Sequence, residues 1–114
     1  MRIAVIEDER PIREGLVHIL NKISPEYQVV GRAENGREGL ILLEEQDPDL
    51  ILLDIQMPDM NGLQMLKEAR ERGSMTKVVI LTAYSDFDYA KKAIALGIEN
   101  YLLKPVNLTE LKNT

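Results

Sequence analysis

Leu50-Ile51-Leu52-Leu53-Asp54-Ile55-Gln56-Met57-Pro58-Asp59-Met60-Asn61-Gly62 is the stretch around which the rest of the chain is organised. Four consecutive apolar residues, Leu50 to Leu53, suit a strand buried on both faces, as in a parallel sheet. The run ends on a carboxylate, Asp54, and is followed by the turn-forming pairs Met57-Pro58 and Asn61-Gly62. A carboxylate in such a place can cap a helix. The next helical pattern, however, begins near Leu63, and Asn61 is better placed to cap it. Asp54 then stands at the carboxyl end of a buried strand, where open α/β sheets bind their ligands.

Outward from this stretch, strand and helix alternate. Arg2 to Ile6 reads as a buried strand that runs into three acids, Glu7, Asp8 and Glu9. Pro11 opens a helix with Ile12, Leu16, Ile19, Leu20 and Ile23 at helical spacing, and Ser24-Pro25 stops it. Tyr27 to Ala33 is a second, more mixed strand. Asn35-Gly36 leads into a helix through Gln46, whose run Leu40 to Leu43 widens the apolar stripe beyond one face. Asp47-Pro48-Asp49 breaks it before the strand at Leu50. A third helix carries Leu63, Leu66 and Ala69 and ends at Gly73. Lys77 to Thr82 is another buried strand. Ser85 and Asp88 form a capping pair for a helix with Ala90, Ala93 and Ile94, closed by Gly97. Asn100 to Leu103 is a short last strand, and Asn107 with Glu110 caps one more helix.

Five strand–helix units without repeat or linker predict one α/β domain over residues 1–114, a parallel sheet covered by helices on both faces. The strands at Ile3, Leu50 and Val78 are the most continuously apolar and belong in the centre; those at Tyr27 and Tyr101 suit the edges. The order 2-1-3-4-5 satisfies this, with its switch point between the first and third strands. Asp8 then lies beside Asp54.

Composition narrows the function classes. In 114 residues, 45% are hydrophobic and 29% charged, and 19 acids against 14 bases give a net charge of −5. With no basic stripe, direct nucleic-acid binding by this segment is not expected. The absence of cysteine excludes disulfides and thiolate metal sites and fits a reducing cytosol, so a cytoplasmic location is expected. No apolar run approaches the roughly 20 residues of a membrane span, and the start has no signal-peptide pattern. Asn107-Leu108-Thr109 matches a glycosylation acceptor, which carries no meaning without a secretory signal.

Glu7, Asp8 and Asp54 crowd one mouth of the predicted sheet, where like charges destabilise one another. A hard divalent cation relieves that repulsion, and Mg²⁺ suits carboxylates supplemented by a backbone carbonyl and waters. Pairing with a helix start, worth about 0.3–1 kcal/mol each, accounts for one acid but poorly for three in a row. Glu9, furthest into the helix, fits that plainer role; Asp8 is read as a metal ligand and Glu7 as a contributor through water. Thr82 and Lys104 end strands at the same edge. A strand-end threonine is common through β propensity, and a lone lysine is usually solvated. Their convergence with the carboxylates suits a small anionic group. A phosphoryl group on Asp54 needs Mg²⁺, Lys104 and Thr82 to offset charge on its oxygens.

The whole chain resembles the receiver domain of two-component response regulators, a flavodoxin-like doubly wound fold. The matching residues are Glu7-Asp8, Asp54 at the end of Leu-Ile-Leu-Leu-Asp, Met57-Pro58, Asn61-Gly62, Thr82-Ala83, Tyr101 and Lys104-Pro105. The resemblance implies that Asp54 is the phosphoacceptor, and that Asp8, Asp54 and the Gln56 carbonyl bind Mg²⁺. It makes Thr82 and Tyr101 the switch pair, Lys104 the phosphate-pairing lysine, and Lys104-Pro105 a cis peptide. The stretch Thr82 to Ile94 resembles receivers joined to an AraC-type helix-turn-helix output domain. Gln56 and Tyr84 occupy positions that vary in the family and tune the loss of the acyl phosphate. The plainest departure is the end, where the final helix is barely begun at Thr114; an output domain is expected to follow.

The expected function is therefore phosphorelay signalling. Asp54 accepts a phosphoryl group from a sensor histidine kinase, and the chain switches conformation to control an output domain, with homodimer formation on phosphorylation a possibility that the family implies. The chain is not expected to be an enzyme beyond self-phosphorylation and autodephosphorylation. A haloacid-dehalogenase-type phosphatase also uses a strand-end aspartate, but carries a second one two residues later on the first strand. Here that position is Gln56, on the third strand. A phosphorylation-independent binding module is the other rival. His18, the single histidine, is expected at the surface of its helix, and the five methionines in packing.

Overall fold

The uninterrupted apolar runs become the middle of a sheet. The computed structural model describes residues 1–23, 25–55, 57, 60–82 and 87–103. Along them lie β1 (Arg2–Ile6), α1 (Arg10–Ile23), β2 (Gln28–Ala33), α2 (Gly36–Gln46), β3 (Leu50–Asp54), α3 (Gly62–Glu71), β4 (Lys77–Thr82), α4 (Phe87–Ala95) and β5 (Asn100–Leu103). The strands are parallel throughout and ordered β2-β1-β3-β4-β5, as expected. The fold is a doubly wound α/β sheet with β1, β3 and β4 inside.

Period-two alternation divides the core between the two faces. Ile3, Val5, Leu52, Val79 and Leu81 meet Leu16, Val17 and Leu20 of α1 on one side. Ala4, Ile6, Ile51, Leu53, Val78 and Ile80 meet α2, α3 and Ala93 of α4 on the other. Because every central strand serves both faces, Ile51, Leu52 and Leu53 are all essentially inaccessible. Each such side chain contributes about 1.5–3 kcal/mol relative to an exposed one.

Several boundaries differ from the sequence reading for local reasons. Helix α1 begins at Arg10, one residue before Pro11, because the Glu9 carbonyl already accepts the Arg13 N–H at 2.9 Å. Pro11 still lies in the first turn, where its missing N–H costs nothing. Strand β2 begins at Gln28; Tyr27 instead packs against the α1 side of the core. The β1–β2 register shifts between Ile3 and Ala4, which pair with Val29 and Gly31, so Val30 is an extra residue in the edge strand. In α2, Leu40 and Leu43 are buried whereas Ile41 is 54% exposed, which accounts for the widened stripe. Helix α4 is followed by Gly97 in the left-handed region (φ +77°), as its place at a helix end requires. The stop at Ser24, the capping pair at Ser85 and the helix expected from Asn107 lie outside the described residues.

Candidate functional site

The β1–β3 register pairs Ile6 with Leu53, so the residues that follow each strand emerge side by side. The chain leaves β1 toward α1 on one face and β3 toward α3 on the other, which opens a crevice at the carboxyl edge. Three acids converge there. Carboxylate oxygens of Glu7, Asp8 and Asp54 lie within 4.8 Å of one another. Asp54 is 3% exposed, Glu7 1%, and Asp8 partly buried.

Each acid is placed by the backbone beneath it. The Glu7 N–H donates to the Ala33 carbonyl at 3.0 Å and continues the β1–β2 ladder one step past Ile6. The Ile55 N–H reaches the Leu81 carbonyl at 3.4 Å and does the same for β3 beyond Asp54. Glu9 stands at the start of α1, its carbonyl accepting the Arg13 N–H, and Glu7 Oε2 lies 3.4 Å from the Glu9 N–H. Behind the crevice, Arg13 Nη1 donates to the Glu7 carbonyl at 2.8 Å and approaches the Asp8 carbonyl at 3.5 Å. Sequence reasoning missed Arg13 because nothing in helical periodicity foretells a side chain reaching back to strand-end carbonyls.

Helix α3 is capped by Asn61, as expected, and not by Asp54. The Asn61 side chain accepts the Gln64 N–H at 2.9 Å, and the Gln64 side chain accepts the Asn61 N–H at 2.9 Å. This reciprocal box was readable in the Asn-x-x-Gln spacing, although the expectation named Asn61 alone. The Gly62 N–H donates to the Ile55 carbonyl at 2.9 Å, binding the start of α3 to the end of β3.

The remaining expected residues divide by strand. Ile80 pairs with Tyr101 and Thr82 with Leu103 between β4 and β5, so Thr82 and Tyr101 stand on neighbouring strands, two steps apart. Tyr101 is partly buried against the α3–α4 side of the core. Thr82 ends β4. Gln56, Lys104 and Pro105 lie outside the described residues. His18 is exposed on α1, in line with its plain role.

Chemically, the site gathers three hard oxygen donors, two of them nearly removed from water. Unit charges 4–5 Å apart repel by on the order of 3–4 kcal/mol at an effective dielectric of about 20. A divalent cation removes that cost. Oxygens around an octahedral Mg²⁺ with bonds of about 2.1 Å lie roughly 3–4 Å apart, so the donor set fits this ion after small side-chain rotations.

Comparison with known proteins places this chain in a family. The family model described as the response regulator receiver domain matches residues 3–114. The chain is 35% identical over 113 residues to the transcriptional regulatory protein YdfI of Bacillus subtilis, covering 99% of this chain and 52% of that protein. It is 37% identical over 109 residues to the nitrate/nitrite response regulator NarL of Escherichia coli, covering 96% and 50%. Among solved structures, the signal receiver domain of the putative response regulator NarL from Mycobacterium tuberculosis superposes with a TM-score of 0.90 at 33% identity, covering 98% of this chain and 90% of that one. The chain thus spans about half the length of these curated relatives. With its sheet order, acidic crevice and near-complete family match, the chain belongs to the response regulator receiver domain family of two-component phosphorelay signalling.

Proposed function

We propose that Asp54 is the phosphoacceptor and that Asp8, Asp54 and the Gln56 main-chain carbonyl hold Mg²⁺, with Glu7 contributing through water. The observation that carries this reading is the convergence of the Glu7, Asp8 and Asp54 carboxylates within 4.8 Å at the switch point of the sheet. A carboxylate oxygen of Asp54 attacks the phosphorus of a sensor kinase's phosphohistidine. The P–O bond to Asp54 forms as the P–N bond breaks, and the released imidazole takes up a proton. Bound Mg²⁺ supplies charge neutralisation at the phosphoryl oxygens. The Thr82 hydroxyl donates to one phosphoryl oxygen and the Lys104 ammonium pairs with another. Water later attacks the phosphorus, releasing phosphate and restoring the Asp54 carboxylate. Self-phosphorylation and this hydrolysis are the only chemistry the chain performs.

Phosphorylation shifts the conformation through Thr82 and Tyr101 toward an output domain. YdfI, named a transcriptional regulatory protein, and NarL, named a response regulator, of each of which this chain spans about half, support a DNA-binding output and a histidine-kinase donor. The AraC-type assignment rests on the resemblance of residues 82–94 alone. A net charge of −5 supports a segment that does not itself bind nucleic acid. No helix among the described residues is long and apolar enough to cross a membrane, and the absence of cysteine supports a cytoplasmic setting. Homodimerisation on phosphorylation completes the proposal.

The test is incubation with acetyl phosphate or phosphoramidate and Mg²⁺, followed by intact mass. A gain of one phosphoryl group that disappears in Asp54→Asn is the expected result. No gain in the wild type favours a phosphorylation-independent binding module. The position of Asp54 on the third strand, with glutamine two residues on, argues against the phosphatase alternative.

A further inference from the structure

We propose that Arg13 is a positioning residue for the cation site, acting on the backbone of Glu7 and Asp8 rather than on the ion. The proposal rests on the reading of the acidic crevice as a Mg²⁺ site. Beyond Ile6 the β1 backbone leaves the sheet, and the Glu7 N–H to Ala33 is the last rung. Arg13 serves the carbonyls that come next, that of Glu7 at 2.8 Å and that of Asp8 at 3.5 Å, the second at the limit of a hydrogen bond. The Arg13 backbone is itself fixed, its N–H donating to the Glu9 carbonyl in the first turn of α1. The Glu7–Asp8 segment is thereby tied to the sheet through the Glu7 N–H and to the helix through the Glu7 and Asp8 carbonyls.

The consequence falls chiefly on Asp8. Glu7 and Asp54 are nearly inaccessible, whereas Asp8 is only partly buried and its carboxylate has more freedom to turn. Its carboxylate direction therefore follows the peptide that Arg13 restrains. Groups that orient a ligand from behind commonly change metal affinity by 10–100-fold when removed.

A second effect of the same residue has the opposite sign. A guanidinium on the Glu7 and Asp8 carbonyls brings positive charge to the segment that carries two of the acids, which offsets part of the repulsion without any metal and so weakens the pull on a cation. If charge dominated, removing Arg13 would tighten Mg²⁺ binding; if positioning dominates, removal weakens it. The two directions make the proposal decidable.

The experiment is calorimetric titration of Mg²⁺ into the full chain, wild type against Arg13→Met and Arg13→Lys, together with the rise in melting temperature that saturating Mg²⁺ produces. We expect Arg13→Met to weaken Mg²⁺ binding about tenfold and to shrink the Mg²⁺-dependent rise. Arg13→Lys, which keeps the charge but reaches a single carbonyl, restores part of the affinity. A merely structural role lowers the metal-free melting temperature and leaves Mg²⁺ affinity unchanged; that result overturns the proposal, as does tighter binding in Arg13→Met. If Arg13→Met does not fold, Arg13→Lys decides by the same titration, wild-type affinity counting against the proposal. A wild type that binds no Mg²⁺ refutes the cation site itself, a failure distinct from wild-type binding that both variants retain.

Discussion

A Cβ placed on Gly62 would stand 2.3 Å from the carbonyl oxygen of Asp54 and 2.9 Å from Cα of Ile55. Both neighbours are backbone, so neither can swing aside as a side-chain tip would. The first turn of α3 thus rests directly on the end of the strand that carries the proposed nucleophile. The contact couples a packing requirement to the geometry of the site.

Gly62→Ala is expected to force α3 and the end of β3 apart. Overpacking of this kind costs about 1–3 kcal/mol, read as a lower denaturation midpoint. Because the displaced atoms belong to Asp54 and Ile55, phosphorylation by acetyl phosphate should slow as well. A variant with wild-type stability and rate would show that the segment between β3 and α3 absorbs a methyl group.

Asp8→Asn separates function from stability. Removing one charge from three carboxylates within 4.8 Å relieves repulsion, so the fold should be as stable as wild type or slightly more so. Mg²⁺ binding should weaken and phosphorylation slow. Titration of Mg²⁺ beside chemical denaturation reads both; unchanged affinity would remove Asp8 from the ligand set.

Thr82→Ala tests the switch. Thr82 and Tyr101 lie on paired strands, and Tyr101 is only partly buried on the α3–α4 side of the core, with room to become more so. In the wild type, phosphorylation should draw the Thr82 hydroxyl toward the phosphoryl group and let Tyr101 move inward. With fluorinated tyrosine, the Tyr101 resonance, assigned by loss in Tyr101→Phe, should shift on phosphorylation in wild type and stay still in Thr82→Ala. The same shift in both would break the proposed coupling.

What could be read in advance follows from how local each determinant is. The predicted spans of β1, β4 and β5 match the observed ones because each apolar run meets polar or turn-forming residues at its ends. The Asn61 cap and the glycine after α4 were legible for the same reason, being decided within a few residues. Strand β2 was read one residue too long: Tyr27 is apolar enough for a strand, yet is used against α1, and Val30 interrupts the ladder. The acidic crevice followed once the strand order was known, since that order alone sets Asp8 beside Asp54. The arginines were not legible. Arg2 reaches the Gln46 and Asp47 carbonyls at the end of α2, and Arg13 reaches the end of β1. Backbone carbonyls are present at every residue, so no spacing of side chains announces which one an arginine will find.

Arg70 extends that pattern and yields the last prediction. From α3 its guanidinium donates to the carbonyls of Ser74 and Thr76 at 2.9 Å each, of Leu96 at 2.9 Å and of Gly97 at 2.8 Å. It joins the approach to β4 with the end of α4, where unsatisfied carbonyls and the negative end of the helix dipole favour a cation. Burial lowers the Arg70 pKa below that of a free guanidinium, so the charged form is less favourable in the folded chain than in the unfolded one. That cost is present at every pH where the guanidinium is charged and is relieved only as pH rises through the lowered value. Four hydrogen bonds to carbonyls outweigh it. Arg70→Met should therefore cost about 1–3 kcal/mol, less than four charged hydrogen bonds would suggest, because the site is partly open to water that replaces some of them. The loss should concentrate locally: amide exchange at Leu96 and Gly97, whose N–H groups bond Ala93 and Ile94, should accelerate more than exchange in β1 or β3. Uniform acceleration through the sheet would mean that Arg70 supports the whole fold rather than the α4 end, and wild-type exchange at both residues would mean that water serves those carbonyls equally well.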